Sequence, residues 1–338
     1  MARGRALLLV SLSLLVVFGP LFLSSVAAQV PSGRNEVDLA VIAYHPKPDP
    51  FDDPARGGDP FGFHAYMAPG RVPWDWMRGY YGEASFPTAR FDGVGRVANN
   101  PSSDILAVEE DYRREFEARR EHDAPLILNV TGRLNATHAL LTVKVVNRGA
   151  EGDGLFLRAA LYTDQVRFDA KNGVEVHRFL ARARFNQTEA EVPVGESRTY
   201  QLAVRIPNEY TGEPLPRDRL GAVVYVQNEN DASTRFKFKE VLQSAVFRYG
   251  QEGPTVQSKK AVLLEFYTAT WCDACLYGDA AVDHLAAQYG VQTTPEAEPL
   301  FRYFTAPPAL HAVLGAGVLG ALAAALILPA SRPRKGGR

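Results

Sequence analysis

Residues 268–278 read "TATWCDACLYG" and hold both cysteines of the 338-residue chain, Cys272 and Cys275. Just before them, "AVLLEFY" (261–267) is a short unbroken apolar run, the pattern of a buried strand. Just after them, a helical pattern running to about Gly290 offers Ala281, Leu285 and Tyr289 for one face. A strand that leads through Cys-x-x-Cys into a helix N-terminus is the arrangement of a redox-active thiol pair. The placement has a physical reason. The helix dipole and the free backbone N–H groups of the first turn stabilise a thiolate at Cys272, and the thiolate is the species that attacks a disulfide. Cys275, one turn further in, is expected to be less exposed and to resolve the mixed disulfide.

Three other readings of the pair stay open at this level. A structural disulfide closing so short a loop removes only about 2 kcal/mol of unfolded-state entropy and ties no distant elements together. A metal half-site needs two further ligands, and the chain has no second Cys-x-x-Cys or paired-His motif to supply them. The third reading is a pair that persists without catalysing anything. The expectation is therefore a site without metal or other cofactor.

The composition is that of ordinary globular material, 46% hydrophobic and 22% charged with net charge −1, and no basic excess points to nucleic acid. The ends differ from the rest. "MARGR" precedes an apolar run over residues 6–23 and then "SSVAAQ", which fits a secretory signal over 1–28 cleaved after Ala28, an uncleaved N-terminal anchor being the alternative. Residues 309–330 carry no charge and, at about 1.5 Å per residue, are long enough to cross a hydrocarbon core of about 30 Å. The basic tail over 331–338, "SRPRKGGR", orients that end toward the cytoplasm. The expected protein is thus anchored in the cell membrane by one C-terminal helix in contact with lipid, with its bulk extracytoplasmic and a linker over 292–308. Asn-x-Ser/Thr sequons at Asn129, Asn135 and Asn186 mark candidate glycosylation sites.

Between the ends, the pattern changes twice. Residues 37–123 read as mixed α/β. "VDLAVIAYH" is a buried strand, and "FPTARFDGVGRVA" is two short strands joined at "DG". A helix follows, with Ile105, Val108, Tyr112 and Phe116 on one face, Ser103 as its cap, and supporting pairs Glu109–Arg113 and Glu110–Arg114. Over 124–250 the period becomes two: Leu126, Leu128 and Val130 oppose Asn129 and Thr131, while Tyr200, Leu202, Val204 and Ile206 oppose Gln201, Ala203 and Arg205. Seven or eight such strands indicate an immunoglobulin-like β-sandwich. "GQEGPTVQSKK" then reads as a linker to a second α/β segment over 260–291.

Within these residues lies a resemblance. "FYTATWCDAC" is similar to the active-site strand and turn of the thioredoxin superfamily, and "SFPTARFDG" is similar to that superfamily's cis-proline loop. The combination with a β-sandwich carrying "HRFLARARF" and "VVYVQNEN" resembles a family of bacterial outer-membrane proteins related to a 28-kDa antigen. The resemblance implies a thiol-disulfide oxidoreductase in which Cys272 and Cys275 are catalytic and form the redox disulfide. It also implies a substrate strand held by Trp271, Phe86, Pro87 and Thr88, with disulfide- or dithiol-containing exported proteins as partners. The segment order differs from that family, since the piece with Pro87 precedes the piece with Cys272. The fold expected is therefore a circularly permuted α/β thioredoxin-like domain, split in sequence, with the sandwich between its halves. A domain-swapped homodimer is a rival way to complete the sheet.

Other departures bear on the chemistry. The buried carboxylate that the superfamily carries six residues before the first cysteine is replaced by Phe266, and Glu265 is expected on the opposite face of its strand. Asp273 in the dithiol turn opposes thiolate formation by like charge. The long connection over 46–73 leaves its strand at the dithiol end, and its Asp49, Asp52, Asp53 and Asp59 read as a solvated acidic loop. Trp74 and Trp76 after it are candidate substrate contacts, and His45 and His64 are candidates to approach the thiols. The alternative function is a non-catalytic surface binding or adhesion module with a vestigial thioredoxin-like domain.

Overall fold

The structure, a computed structural model, describes residues 35–46, 59, 61, 80–82, 85–98, 104–135, 137–150, 153–207, 209–210, 213–233 and 235–290. The expected signal, linker, span and basic tail lie outside the described residues, as do His64, Trp74 and Trp76. Among the described residues no helix is long and apolar enough to cross a membrane.

The described part is β-rich, with two α-helices. The first segment contributes β1 (Leu39–Tyr44), β2 (Thr88–Phe91), β3 (Gly95–Ala98) and α1 (Ile105–Arg120). The middle contributes β4 (Leu126–Leu134), β5 (His138–Asn147), β6 (Leu155–Thr163), β7 (Val166–Arg167), β8 (Val176–His177), β9 (Leu180–Arg184), β10 (Thr188–Glu189), β11 (Ser197–Arg205), β12 (Glu209–Tyr210), β13 (Glu213–Pro214), β14 (Leu220–Asn228) and β15 (Val241–Arg248). The last described segment contributes β16 (Thr255–Gln257), β17 (Val262–Tyr267) and α2 (Cys275–Tyr289).

Strands from all three segments share one nine-stranded sheet in the order β15-β14-β6-β9-β1-β17-β2-β3, with β10 beside β6. At its centre β1 and β17 run parallel, Leu39 opposite Val262 and Tyr44 opposite Tyr267. On the other side β17 pairs antiparallel with β2, Tyr267 opposite Thr88. The strand after which Cys272 comes therefore fills the slot between β1 and β2 of its own chain. The β2–β3 turn is the expected "DG": Asp92 and Gly93 have φ of 48° and 73°, the left-handed pair that a two-residue hairpin turn needs. A side chain at Gly93 would also run into the Lys239 carbonyl.

Both helices pack on the side of β17 that carries Phe266, whose ring meets Tyr112 of α1 edge-on at 6.4 Å. Val108, Tyr112 and Phe116 are buried as their spacing requires. Two details differ from the sequence reading. Asp104, rather than Ser103, caps α1 by accepting from the Leu106 N–H. Arg114 pairs with Asp111 at 2.6 Å instead of with Glu110, since a residue three before it lies as close on the helix surface as one four before.

A four-stranded sheet, β11-β5-β4-β16, lies against the β6–β14–β15 end of the large sheet. Within it β5 alternates, reading exposed and buried by turns. β14 does not alternate, because it is buried throughout. Ala222, Val224 and Val226 enter the core between the sheets, while Val223 and Tyr225 enter the core that also holds α1 and α2. The large sheet thus serves two cores, one shared with the four-stranded sheet and one with the helices. The expected linker is itself structured. β16 pairs with β4, and the Gln257 amide accepts from Val37 N at 3.0 Å and donates to Val37 O at 2.9 Å, which fastens the chain to the entrance of β1.

Candidate active site

β17 delivers the dithiol turn to one end of the sheet. Cys272 and Cys275 are joined by a disulfide, with Cα atoms 5.3 Å apart. The Cys272 carbonyl accepts from Cys275 N at 2.9 Å, which starts α2. Cys275 is fully buried and Cys272 half-buried, as expected for a position one turn earlier. Trp271 is 44% exposed, and its ring stands edge-on to Phe86 at 5.9 Å. The Phe86–Pro87 peptide is cis. Pro87 is buried, and Thr88 behind it is buried with its hydroxyl donating to the Ser85 carbonyl at 2.9 Å. Two aromatic residues far apart in sequence, Phe86 and Trp271, thereby meet next to the dithiol turn. The three sequon asparagines lie elsewhere: Asn186 is exposed, Asn129 is half-buried within β4, and the Asn135 side chain accepts from Thr137 N and His138 N at 2.8 Å each.

The turn before the cysteines is held from two sides. Asp59 accepts from Thr270 N at 2.8 Å, from Phe61 N at 2.9 Å and from His45 Nδ1 at 2.9 Å. This corrects the reading of Asp59 as part of a solvated loop, for it is 1% exposed. Burial alone would favour its neutral form, but the electrostatic effect of the neighbouring His45 and three hydrogen bonds outweigh that and hold the carboxyl below its ordinary range. From the other side Asn172, in the turn between β7 and β8, donates through its backbone N–H to Thr270 O at 3.0 Å and through its amide to Ala269 O at 3.2 Å. An excursion of the middle segment therefore clamps the dithiol turn. His177 of β8 lies in the same wall, its ring 4.4 Å from Phe61 and 6.0 Å from His45. Burial and the neighbouring His45 push its pKa down to about 3, so it is neutral at physiological pH.

Two more carboxyls follow Cys275 at four-residue spacing on α2. Asp279 accepts from the Thr268 hydroxyl at 2.9 Å. Burial pushes its carboxyl well up, with Asp283 and Asp59 adding to the effect. Asp283 stands 3.8 Å from Arg178, which also pairs with Asp164. Burial raises its carboxyl to about 7 against the pull of Arg178. On the far face of β17, Glu265 is fully buried and accepts from Tyr81 at 2.6 Å and Tyr44 at 3.4 Å. Burial raises its pKa despite those bonds and two nearby arginines. Among the described residues no three His, Cys, Asp or Glu side chains converge as a metal ion requires.

Asp279 and Asp283 were legible in principle as a polar stripe below Cys275. Asn172 was marked only by the turn-forming "NG" that it shares with Gly173. Asp59 carried no sequence signal that separates it from its acidic neighbours.

No protein-family model matches the chain, and no curated protein matches it. Among solved structures, a domain of the outer membrane lipoprotein Omp28 from Porphyromonas gingivalis is 13% identical over 37% of this chain and 88% of that one, with a TM-score of 0.22. A β-glucosidase from Kluyveromyces marxianus is 12% identical over 42% of this chain, with a TM-score of 0.23, and the match spans 15% of the glucosidase. β-glucosidase 3B from Thermotoga neapolitana is 14% identical over 38% of this chain and 16% of its own, with a TM-score of 0.19. At these scores the similarities carry nothing about what the site does.

Proposed function

We propose that the protein is a membrane-anchored, extracytoplasmic thiol-disulfide oxidoreductase whose β1–β17–β2–β3 unit with α1 and α2 is a circularly permuted thioredoxin-like domain, extended by an immunoglobulin-like sandwich. The observation that carries this reading is the junction of β17 and β2. There Trp271, the neighbour of a half-buried Cys272 that precedes a helix N-terminus, meets Phe86 of the cis Phe86–Pro87 pair edge-on, and Cys275 is buried, which supports the reading.

In the reduced protein the Cys272 thiolate attacks one sulfur of a partner disulfide. A Cys272–partner bond forms, the partner S–S bond breaks, and the other partner sulfur leaves as a thiolate that takes a proton from solvent. Cys275 then loses its proton and attacks the Cys272 sulfur. The intramolecular disulfide forms and the partner departs with its second thiol. The protein has been oxidised and the partner reduced by two electrons, and the same steps in reverse oxidise a dithiol partner. Thr268 and Asp279, below the buried cysteine, offer a route for the Cys275 proton.

The test is a trap. Full-length Cys275→Ser protein, which lacks the resolving thiol, should accumulate Cys272-dependent mixed disulfides with exported proteins. A Cys275→Ser protein that traps no more than Cys272→Ser overturns the reading.

A further inference from the structure

β1 and β17 run parallel, so the ends where they begin lie at the pole opposite the dithiol. Asp38 N donates to Tyr289 O at 3.2 Å there, so the chain enters and leaves the described body at this one pole. Residues 291–308 then lead toward the apolar stretch at 309–330.

This pole is cationic. An open cleft of about 660 Å³ is lined there by the α1–β4 connection, the β5–β6 turn, the β14–β15 loop and the residues before β17. Two of its cations are already engaged, Arg120 near Asp38 at 3.8 Å and Lys260 on Asp92 at 2.9 Å. Arg148, Arg235 and Lys259 are exposed around it, against the exposed carboxylate of Asp123. Glu36 at the rim is turned to the Ser258 hydroxyl and backbone.

A second feature stands on the same loop as Arg235. The stretch "RFKFK" over 235–239 presents Phe238 at 48% exposure beside the exposed Lys237. Its place is fixed by Arg235, which donates to Gly149 O, and by Val241 N, which donates to Asp92 O at 2.9 Å. An exposed aromatic ring among lysines and arginines suits a boundary between apolar chains and anionic headgroups, where the ring enters and the cations stay at the phosphates.

We propose that this pole docks onto an anionic phospholipid surface, with Phe238 in the headgroup layer and Arg148, Arg235 and Lys259 on lipid phosphates. The inference rests on the membrane-anchored reading and deepens it. A tether over 291–308 that can extend to about 60 Å leaves orientation open, whereas a docked pole turns Cys272 away from the bilayer toward exported substrates.

The experiment uses full-length protein in nanodiscs of phosphatidylcholine, with and without one third phosphatidylglycerol, read by amide hydrogen exchange. Exchange over 235–241 and 258–260 should slow several-fold in the anionic discs and recover in high salt, which screens the cations. The slowing should vanish in R148E/K259E and, separately, in Phe238→Ser, while exchange across the dithiol turn stays unchanged. Equal exchange in the two lipids, with the protein still resistant to carbonate extraction, overturns the docking alone. Release by carbonate overturns the anchored reading and the docking with it. Equal protection by inorganic phosphate on detergent-solubilised protein would make the cleft a small-anion site and overturn the lipid assignment.

Discussion

The two ends of the parallel pair β1–β17 carry opposite chemistry. At the Cys272 end a carboxylate, Asp59, is buried and fixed by backbone hydrogen bonds from Thr270 and Phe61. At the far end Arg148, Arg235 and Lys259 stand exposed around an open cleft. The contrast separates two uses of charge. A buried charge with several partners sets the geometry of one turn and is costly to disturb, whereas exposed charges act together, weakly and through salt.

The comparison breaks first at Asp59. Asp59→Ala leaves two buried backbone donors and His45 without an acceptor, and should cost about 3 kcal/mol of unfolding free energy in urea denaturation. A loss below about 1 kcal/mol would mean that the turn before the dithiol is not held from this side. Asn172→Ala removes the amide that reaches Ala269 O while sparing the backbone bond to Thr270. It should cost about 1 kcal/mol and increase hydrogen exchange in the dithiol turn.

Asp283 sharpens the contrast through pH. Its folded pKa of about 7 exceeds the value of about 3.9 expected in the unfolded chain, so the folded state binds the extra proton between these values. Its contribution to stability is full below the unfolded pKa and is lost as pH rises through the folded one. Asp283→Asn, neutral throughout, should flatten the fall in Tm from about pH 5 to about pH 8. An unchanged slope would assign that fall to other groups. At the opposite pole Asp123→Ala, an exposed carboxylate lost from a cationic rim, should move stability by no more than about 0.5 kcal/mol.

The same contrast governs what could be read from sequence. β1, the β2–β3 hairpin, α1, the alternating strands β4, β5 and β11, and the dithiol at the start of α2 follow from local periodicity and turn chemistry. Long-range burial does not. β14 is covered on both faces because its second face joins the helical core, and no period within nine residues reveals that. β16 lay hidden in a stretch read as a linker because its stability comes from partners far away, β4 and Val37. In the site, Cys272, Trp271 and the Phe86–Pro87 pair were marked by motif, whereas Asp59 and Asn172 matter only because the fold brings their loops against one turn.

The most direct test of the central claim is reduction of insulin disulfides by the full-length protein in the presence of a small dithiol. Wild-type protein should accelerate precipitation of the insulin chains, and Cys272→Ser should fall to the uncatalysed rate. Equal rates for the two proteins would contradict the redox account.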